Sequence, residues 1–176
     1  MSNYRRARDA GALYFFTLVT HQRQPLLTRP DVRQQLRAAI VHTRARYPFV
    51  IHGWVLLPDH LHCVWQLPTN DHDFGRRWSI IKRRVSQHCT GANQLSGSQL
   101  ARGELAFWQR RFWEHRIRDE DDYRRHMDYL HWNPVKHGLV GRVADWSWSS
   151  FHRLVGEGVY PNDWGGTGDI DGVFGE

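Results

Sequence analysis

Two apolar runs, Phe49 to Leu57 (FVIHGWVLL) and His60 to Leu67 (HLHCVWQL), are separated only by Pro58-Asp59. So short a connection implies an antiparallel hairpin, and the rest of the chain has to assemble around it. Gly11 to Thr20 (GALYFFTLVT) is β-branched and aromatic and reads as a strand buried on both faces. Between that strand and the hairpin, Arg29-Pro30-Asp31 opens a helix. Val32, Leu36, Ala39, Ile40 and Thr43 follow helical spacing on it, Arg33, Arg37 and Arg44 lie on another face, and Tyr47-Pro48 stops it.

A second helix is predicted from Asp71 to about His88, with Phe74, Trp78, Ile81 and Val85 on its apolar face. Residues 91–106 show no period and read as a mobile loop. Phe107 to Ile117 (FWQRRFWEHRI) is predicted as a fourth strand. The acidic run Asp119 to Asp122 suits the start of a third helix, which reaches at least Tyr129 and which Pro134 should end or kink. The order strand–helix–strand–strand–helix–strand–helix is an α+β pattern. Its first six elements match the ferredoxin-like, split βαβ arrangement, one antiparallel sheet with helices on one face. A third helix and an irregular C-terminal tail follow.

At 176 residues the chain fits one domain of ordinary size, expected over 1–142 with a tail over 143–176, and shows no internal repeats. Cys63 and Cys89 cannot make a disulfide framework. With no long apolar run and no apolar signal core, the expectation is a soluble cytoplasmic protein with no membrane association. Charge is distributed unevenly around a net of +6. Residues 1–46 hold nine arginines against Asp9 and Asp31, giving +7; residues 47–142 carry +4; residues 143–176 hold Arg153 against six acids, giving −5. A basic body rich in arginine and aromatic residues points to nucleic acid or to a well-solvated surface.

Side chains alternate along a strand, so His60 and His62 share one face and Leu61 and Cys63 the other. Two adjacent imidazoles make half a metal site, or simply two polar residues on an exposed face. On the third helix Tyr129 and Asn133 are four apart and share a face. A tyrosine is a potential nucleophile and an amide oxygen a potential metal ligand, although Tyr129 also fits as a core aromatic.

The segment Leu57-Pro-Asp-His-Leu-His-Cys-Val-Trp65, with Asp128-Tyr-Leu-His-Trp-Asn-Pro-Val-Lys-His-Gly-Leu-Val140 after it, resembles the single-tyrosine HUH transposases. More narrowly it resembles the REP-associated tyrosine transposases of bacteria. Tyr4-Arg5-Arg6, Trp108-Gln-Arg-Arg-Phe-Trp-Glu-His115 and Asp145-Trp-Ser-Trp-Ser-Ser150 fit the same branch. The resemblance implies that His60 and His62 bind Mg²⁺ or Mn²⁺, with Asn133 as a third ligand, and that Tyr129 is the nucleophile. Leu130 stands where Ile is commoner in the family. It further implies single-stranded and hairpin DNA partners (REP-like palindromes), with Arg5 and Arg6 as candidates for contacting an adjacent guide sequence. The implied reaction is strand cleavage and transfer through a covalent 5′-phosphotyrosine. A monomer is expected, with a dimer as the alternative, associated with the nucleoid when bound to DNA.

Arg76, Arg77, Arg83 and Arg84 repeat at seven-residue spacing and form a stripe suited to a DNA backbone, or to solvent. Trp108, Trp113 and Trp132 are candidates for base stacking or for burial. Tyr123, six residues before Tyr129, falls on a different helical face and is expected to pack. The acidic tail is expected to lie across the sheet edge or the DNA cleft and to compete with nucleic acid. Two rival readings remain open: a non-catalytic binder of palindromic DNA repeats, and a metal-dependent hydrolase that uses water.

Overall fold

The computed structural model describes residues 10–89 and 107–165. Arg5, Arg6, the predicted loop 91–106 and the last residues of the tail lie outside the described residues. The chain runs β1 (Leu13–Val19), α1 (Pro30–Arg46), β2 (Val50–Leu56), β3 (His60–Gln66), α2 (Phe74–His88), β4 (Trp113–Arg116), α3 (Glu120–Lys136) and α4 (Phe151–Gly156). The four strands form one sheet in the order β2-β3-β1-β4, every neighbouring pair antiparallel. This is the α+β ferredoxin-like arrangement expected from the element order. No helix among the described residues is long and apolar enough to cross a membrane.

The period-two alternation of β1 and β3 builds two cores, one on each side of the sheet. Tyr14, Phe16, Leu18, Leu61, Cys63 and Trp65 face α1 and α2, where Trp65 stacks on Trp78 with ring centroids 4.0 Å apart. Phe15, Val55 and Val64 face the other way, against Met127, Tyr129 and Leu130 of α3. The two helices of the split βαβ unit therefore share one face, and α3 covers the opposite one. Gly53 lets α3 approach, because a Cβ there would lie 2.6 Å from Met127 Sδ.

Arg77 departs from the sequence expectation. It is 1% exposed, and its guanidinium bonds Asp71 Oδ2 at 2.7 Å and the carbonyls of Tyr47, Pro48 and Asp73. It joins the end of α1 to the start of α2 and is not on the surface stripe. Seven-residue spacing places residues on one stripe but does not show which side of that stripe faces the neighbouring helix.

Three boundaries also differ. The fourth strand is only four residues long. Phe107 and Trp108 are buried beside the end of β1, and Trp108 forms an isolated bridge to Thr20. The chain then leaves the ladder at the exposed Gln109-Arg110-Arg111 before pairing again at Trp113. Burial of Trp108 also removes it as a base-stacking candidate.

Pro134 does not end α3, which continues to Lys136. Proline removes only its own N–H donor, and the bonding resumes beyond it, where His137 N–H donates to Asn133 O. The termination comes at Gly138, whose φ of +66° allows Gly138 N–H to reach Val135 O and Leu139 N–H to reach Pro134 O. At the other end, Asp119 Oδ1 accepts the Asp122 N–H and Asp122 Oδ2 accepts the Arg118 N–H. Burial would raise the Asp122 carboxyl, but hydrogen bonds from His115 and Arg118 outweigh it and bring the pKa down to about 2.

The segment after Gly138 is more regular than expected. Residues 143–145 form a 3-10 turn, Trp146 Nε1 donates to Leu56 O, and α4 follows. Leu56 N–H to Trp148 O and Ser150 N–H to Trp54 O dock this segment along the outer edge of β2. An exposed strand edge is thereby covered.

Candidate active site

β3 begins immediately after the Pro58-Asp59 turn, so His60 is the first residue of the strand and His62 lies one pleat along it. Both imidazoles are buried on the α3 side of the sheet, with ring centroids 5.0 Å apart. Each is oriented through Nδ1. His60 Nδ1 lies 2.7 Å from Asp59 Oδ1, and His62 Nδ1 lies 2.9 Å from Thr17 Oγ1, the residue opposite it in the β1–β3 ladder. Burial would push the Asp59 carboxyl up, but the bonds to His60 and Arg23 prevail and hold it below the ordinary carboxylate range.

α3 brings Tyr129 over this pair. Its ring is 2% exposed and lies 5.4 Å from the ring of His62 and 6.2 Å from that of Phe15. Lys136, two turns along the helix, donates from Nζ to Tyr129 Oη at 3.1 Å and sits 4.8 Å from the ring centroid. Asn133 is fully buried one turn beyond Tyr129. His137, at the end of α3, places its ring 5.1 Å from that of His60. Two strand histidines, a phenol and a lysine thus converge where β3 starts and α3 ends.

The donor set suits a divalent cation. A hydrogen-bonded Nδ1 on each ring would make Nε2 the ligating atom, and Asp59, bonded to His60 Nδ1, would hold that ring in place. His60 and His62 could hold it, and Asn133 is buried on the neighbouring helix. The described residues contain one further His/Asp group able to hold a metal ion, formed by His115, Asp122 and His126.

The other aromatic and basic residues of the sequence reading, and the histidines of α3, fall elsewhere. Tyr123 is half-buried against His52, which agrees with its expected packing. His126 bonds Asp122 and His131 bonds Ser150, both away from the strand histidines. Trp113 is half-buried, 6.0 Å from Phe15 and stacked on His115. Arg76 and Arg83 are exposed and Arg84 is half-exposed along α2. Sequence reasoning did not identify the partners Thr17, Asp59 and Lys136. For Lys136 the signal was present, since a spacing of seven returns to the same helical face; Thr17 could be found only from the strand register.

No family model matches the chain. It is 46% identical over 167 residues to the REP-associated tyrosine transposase of Escherichia coli K12, covering 94% of this chain and 92% of that protein. It is 44% identical over 175 residues to a putative REP-associated tyrosine transposase of Haemophilus influenzae, covering 97% of each. Among solved structures, it superposes with a TM-score of 0.82 on a REP-associated tyrosine transposase bound to a REP hairpin. That match is 45% identical and covers 100% of this chain and 98% of the other.

Proposed function

The chain belongs to the REP-associated tyrosine transposases, and from that premise we propose that it cleaves and rejoins single-stranded DNA beside REP-like hairpins, with Tyr129 as the nucleophile. The observation that carries this reading is the placement of the Tyr129 ring 5.4 Å from His62, with Lys136 Nζ 3.1 Å from its hydroxyl.

In the proposed reaction Tyr129 Oη loses its proton and attacks the scissile phosphorus. The P–O3′ bond breaks, the 3′-oxygen takes up a proton, and the strand is left as a 5′-phosphotyrosine and a 3′-hydroxyl. The reverse attack by a 3′-hydroxyl rejoins strands without an external energy source. A phenol with an ordinary pKa of about 10 needs help near neutral pH. The Lys136 ammonium supplies it by stabilising the charge that grows on Oη, and again when Oη leaves. A divalent ion such as Mg²⁺ or Mn²⁺, held by His60, His62 and Asn133, would polarise a non-bridging phosphate oxygen and orient the bond. Phe15 and the other aromatic groups around Tyr129 restrict the ring to one approach.

Exposed Arg76 and Arg83 and half-exposed Arg84 are assigned to the DNA backbone, and Arg5 and Arg6 to the adjacent single-stranded guide sequence. Tyr129 and both histidines come from one chain, which supports a monomer as the working unit. Action on DNA fits a cytoplasmic, nucleoid-associated protein.

The test is to incubate single-stranded hairpin DNA with the protein and Mg²⁺ or Mn²⁺ and resolve covalent adducts. An adduct that disappears in Tyr129→Phe, while hairpin binding persists, is expected. Cleavage with no adduct would indicate a water-using hydrolase, and binding with no cleavage an architectural protein; either result overturns the proposal.

A further inference from the structure

A second group of ligating side chains lies one turn before Tyr129. His115 on β4, Asp122 in the first turn of α3 and His126 one turn further each offer a ligand atom, and these atoms lie within 4.8 Å of one another. His115 Nε2 is 2.8 Å from Asp122 Oδ2, and His126 Nδ1 is 3.1 Å from Asp122 Oδ1. The two imidazoles are nearly parallel, with centroids 4.5 Å apart and planes 14° apart. Around a tetrahedral zinc ion with nitrogen and oxygen ligands at 2.0–2.1 Å, neighbouring ligand atoms are roughly 3.3 Å apart. Each histidine nitrogen is within about half an ångström of that spacing from an Asp122 oxygen, His115 from Oδ2 and His126 from Oδ1, so the carboxylate would bridge the two imidazoles with one oxygen towards each.

The chemistry selects the class of ion. Two imidazole nitrogens and one carboxylate suit zinc and similar first-row cations. Asp122 and His126 are buried, while the His115 side chain is 26% exposed, so the group is reachable from its strand side. It is also distinct from the centre at His60 and His62. The ring of Phe15 stands between them, 5.3 Å from His62 and 4.9 Å from His126.

We infer that His115, Asp122 and His126 form a structural site for a zinc-type divalent cation that fastens β4 to the N-terminal end of α3. On binding, the ring protons reside on His115 Nδ1 and His126 Nε2, so that the ligating atoms carry lone pairs. His126 Nδ1 turns from the Asp122 carbonyl that it now faces at 2.7 Å. Arg118, whose side chain is 65% exposed, withdraws from its 3.2 Å contact with Asp122 Oδ2. Without the cation the same groups hydrogen-bond and hold strand and helix less tightly. Because α3 carries Tyr129, the ion steadies the helix that presents the nucleophile without taking part in its chemistry.

The experiment uses the full chain carrying His60→Ala and His62→Ala, titrated with Co²⁺ as a visible-absorption probe and with Zn²⁺ in thermal melts. One equivalent of Co²⁺ with d–d absorption is expected, and Zn²⁺ should raise Tm by ~5 °C. Adding His115→Asn should weaken binding at least about tenfold and remove that rise. His126→Gln serves as a second probe of the same site, and circular dichroism checks that each variant is folded. In the otherwise unchanged protein the expected stoichiometry is two. A stoichiometry of one that is lost with His60→Ala and His62→Ala would overturn the inference, as would unchanged Co²⁺ affinity in both His115→Asn and His126→Gln. Covalent adduct formation on DNA is read separately, so failure here leaves the role of Tyr129 standing.

Discussion

Lys136 Nζ donates to Tyr129 Oη at 3.1 Å across two turns of α3, so one rigid helix carries both the phenol and the cation that faces it. A hydrogen bond to a charged group contributes about 1.5–3 kcal/mol, which corresponds to roughly 10- to 100-fold in rate if it is fully expressed in the transition state. Lys136→Met is expected to slow adduct formation in single-turnover assays by that factor with little change in hairpin affinity. Lys136→Arg should recover part of the loss. An equal loss of binding and rate in Lys136→Met would instead make Lys136 a DNA-backbone contact.

Thr17 and Asp59 act through the histidines that they orient. Outer-shell partners of metal-ligating histidines typically account for 10- to 100-fold in metal affinity. Thr17→Val and Asp59→Asn should each weaken Mn²⁺ binding within about that range, measured by calorimetry, and excess Mn²⁺ should restore cleavage. Chelation with EDTA should abolish cleavage while leaving hairpin binding.

The arginines of α2 should separate by burial. Buried Arg77 pairs with half-exposed Asp71 and bonds three backbone carbonyls, and leaving such groups without their partner costs about 1–3 kcal/mol. Arg77→Ala should therefore lower the urea midpoint sharply. Arg83→Ala should leave that midpoint within ~0.5 kcal/mol but weaken DNA binding and reduce its salt dependence by about one counterion. If Arg83→Ala changes stability and not the salt slope, the surface assignment fails.

His131 is buried beside Ser150 Oγ, and burial lowers its pKa from 6.5 to about 3. The unfolded chain protonates this ring below about pH 6.5 and the native protein does not, so acid favours unfolding. The contribution is fully present above pH 6.5 and is lost as pH falls towards 3. Its limiting slope is about 1.4 kcal/mol per pH unit. Urea unfolding between pH 7 and 5 should show a shallower pH dependence in His131→Gln than in the parent protein. Equal slopes would remove His131 as the cause.

Much of the site was legible because it depends on local periodicity. The His60-Leu61-His62 alternation put both imidazoles on one side of a strand, and the spacing of Tyr129 and Asn133 put both on one side of a helix. The two-residue turn at Pro58-Asp59 fixed the hairpin. Arg77 was misplaced for the same reason: helical spacing groups residues but says nothing of the neighbour they meet. Pro134 does not stop α3, which runs two residues further, because a proline takes away only its own donor and the helix closes at Gly138.

Strand and helix order, the antiparallel hairpin, the shared face of the histidines and the family can all be read along the chain. These follow from rules that operate within a few residues or from matched motifs. Folding had to settle that α3 lies on the face opposite α1 and α2, that Thr17 bonds His62, and that His115 meets Asp122 and His126. Each depends on strand register and on which apolar face closes over which. Those outcomes are settled by burying both sides of β1 at once, with Phe16 turned to one core and Phe15 to the other.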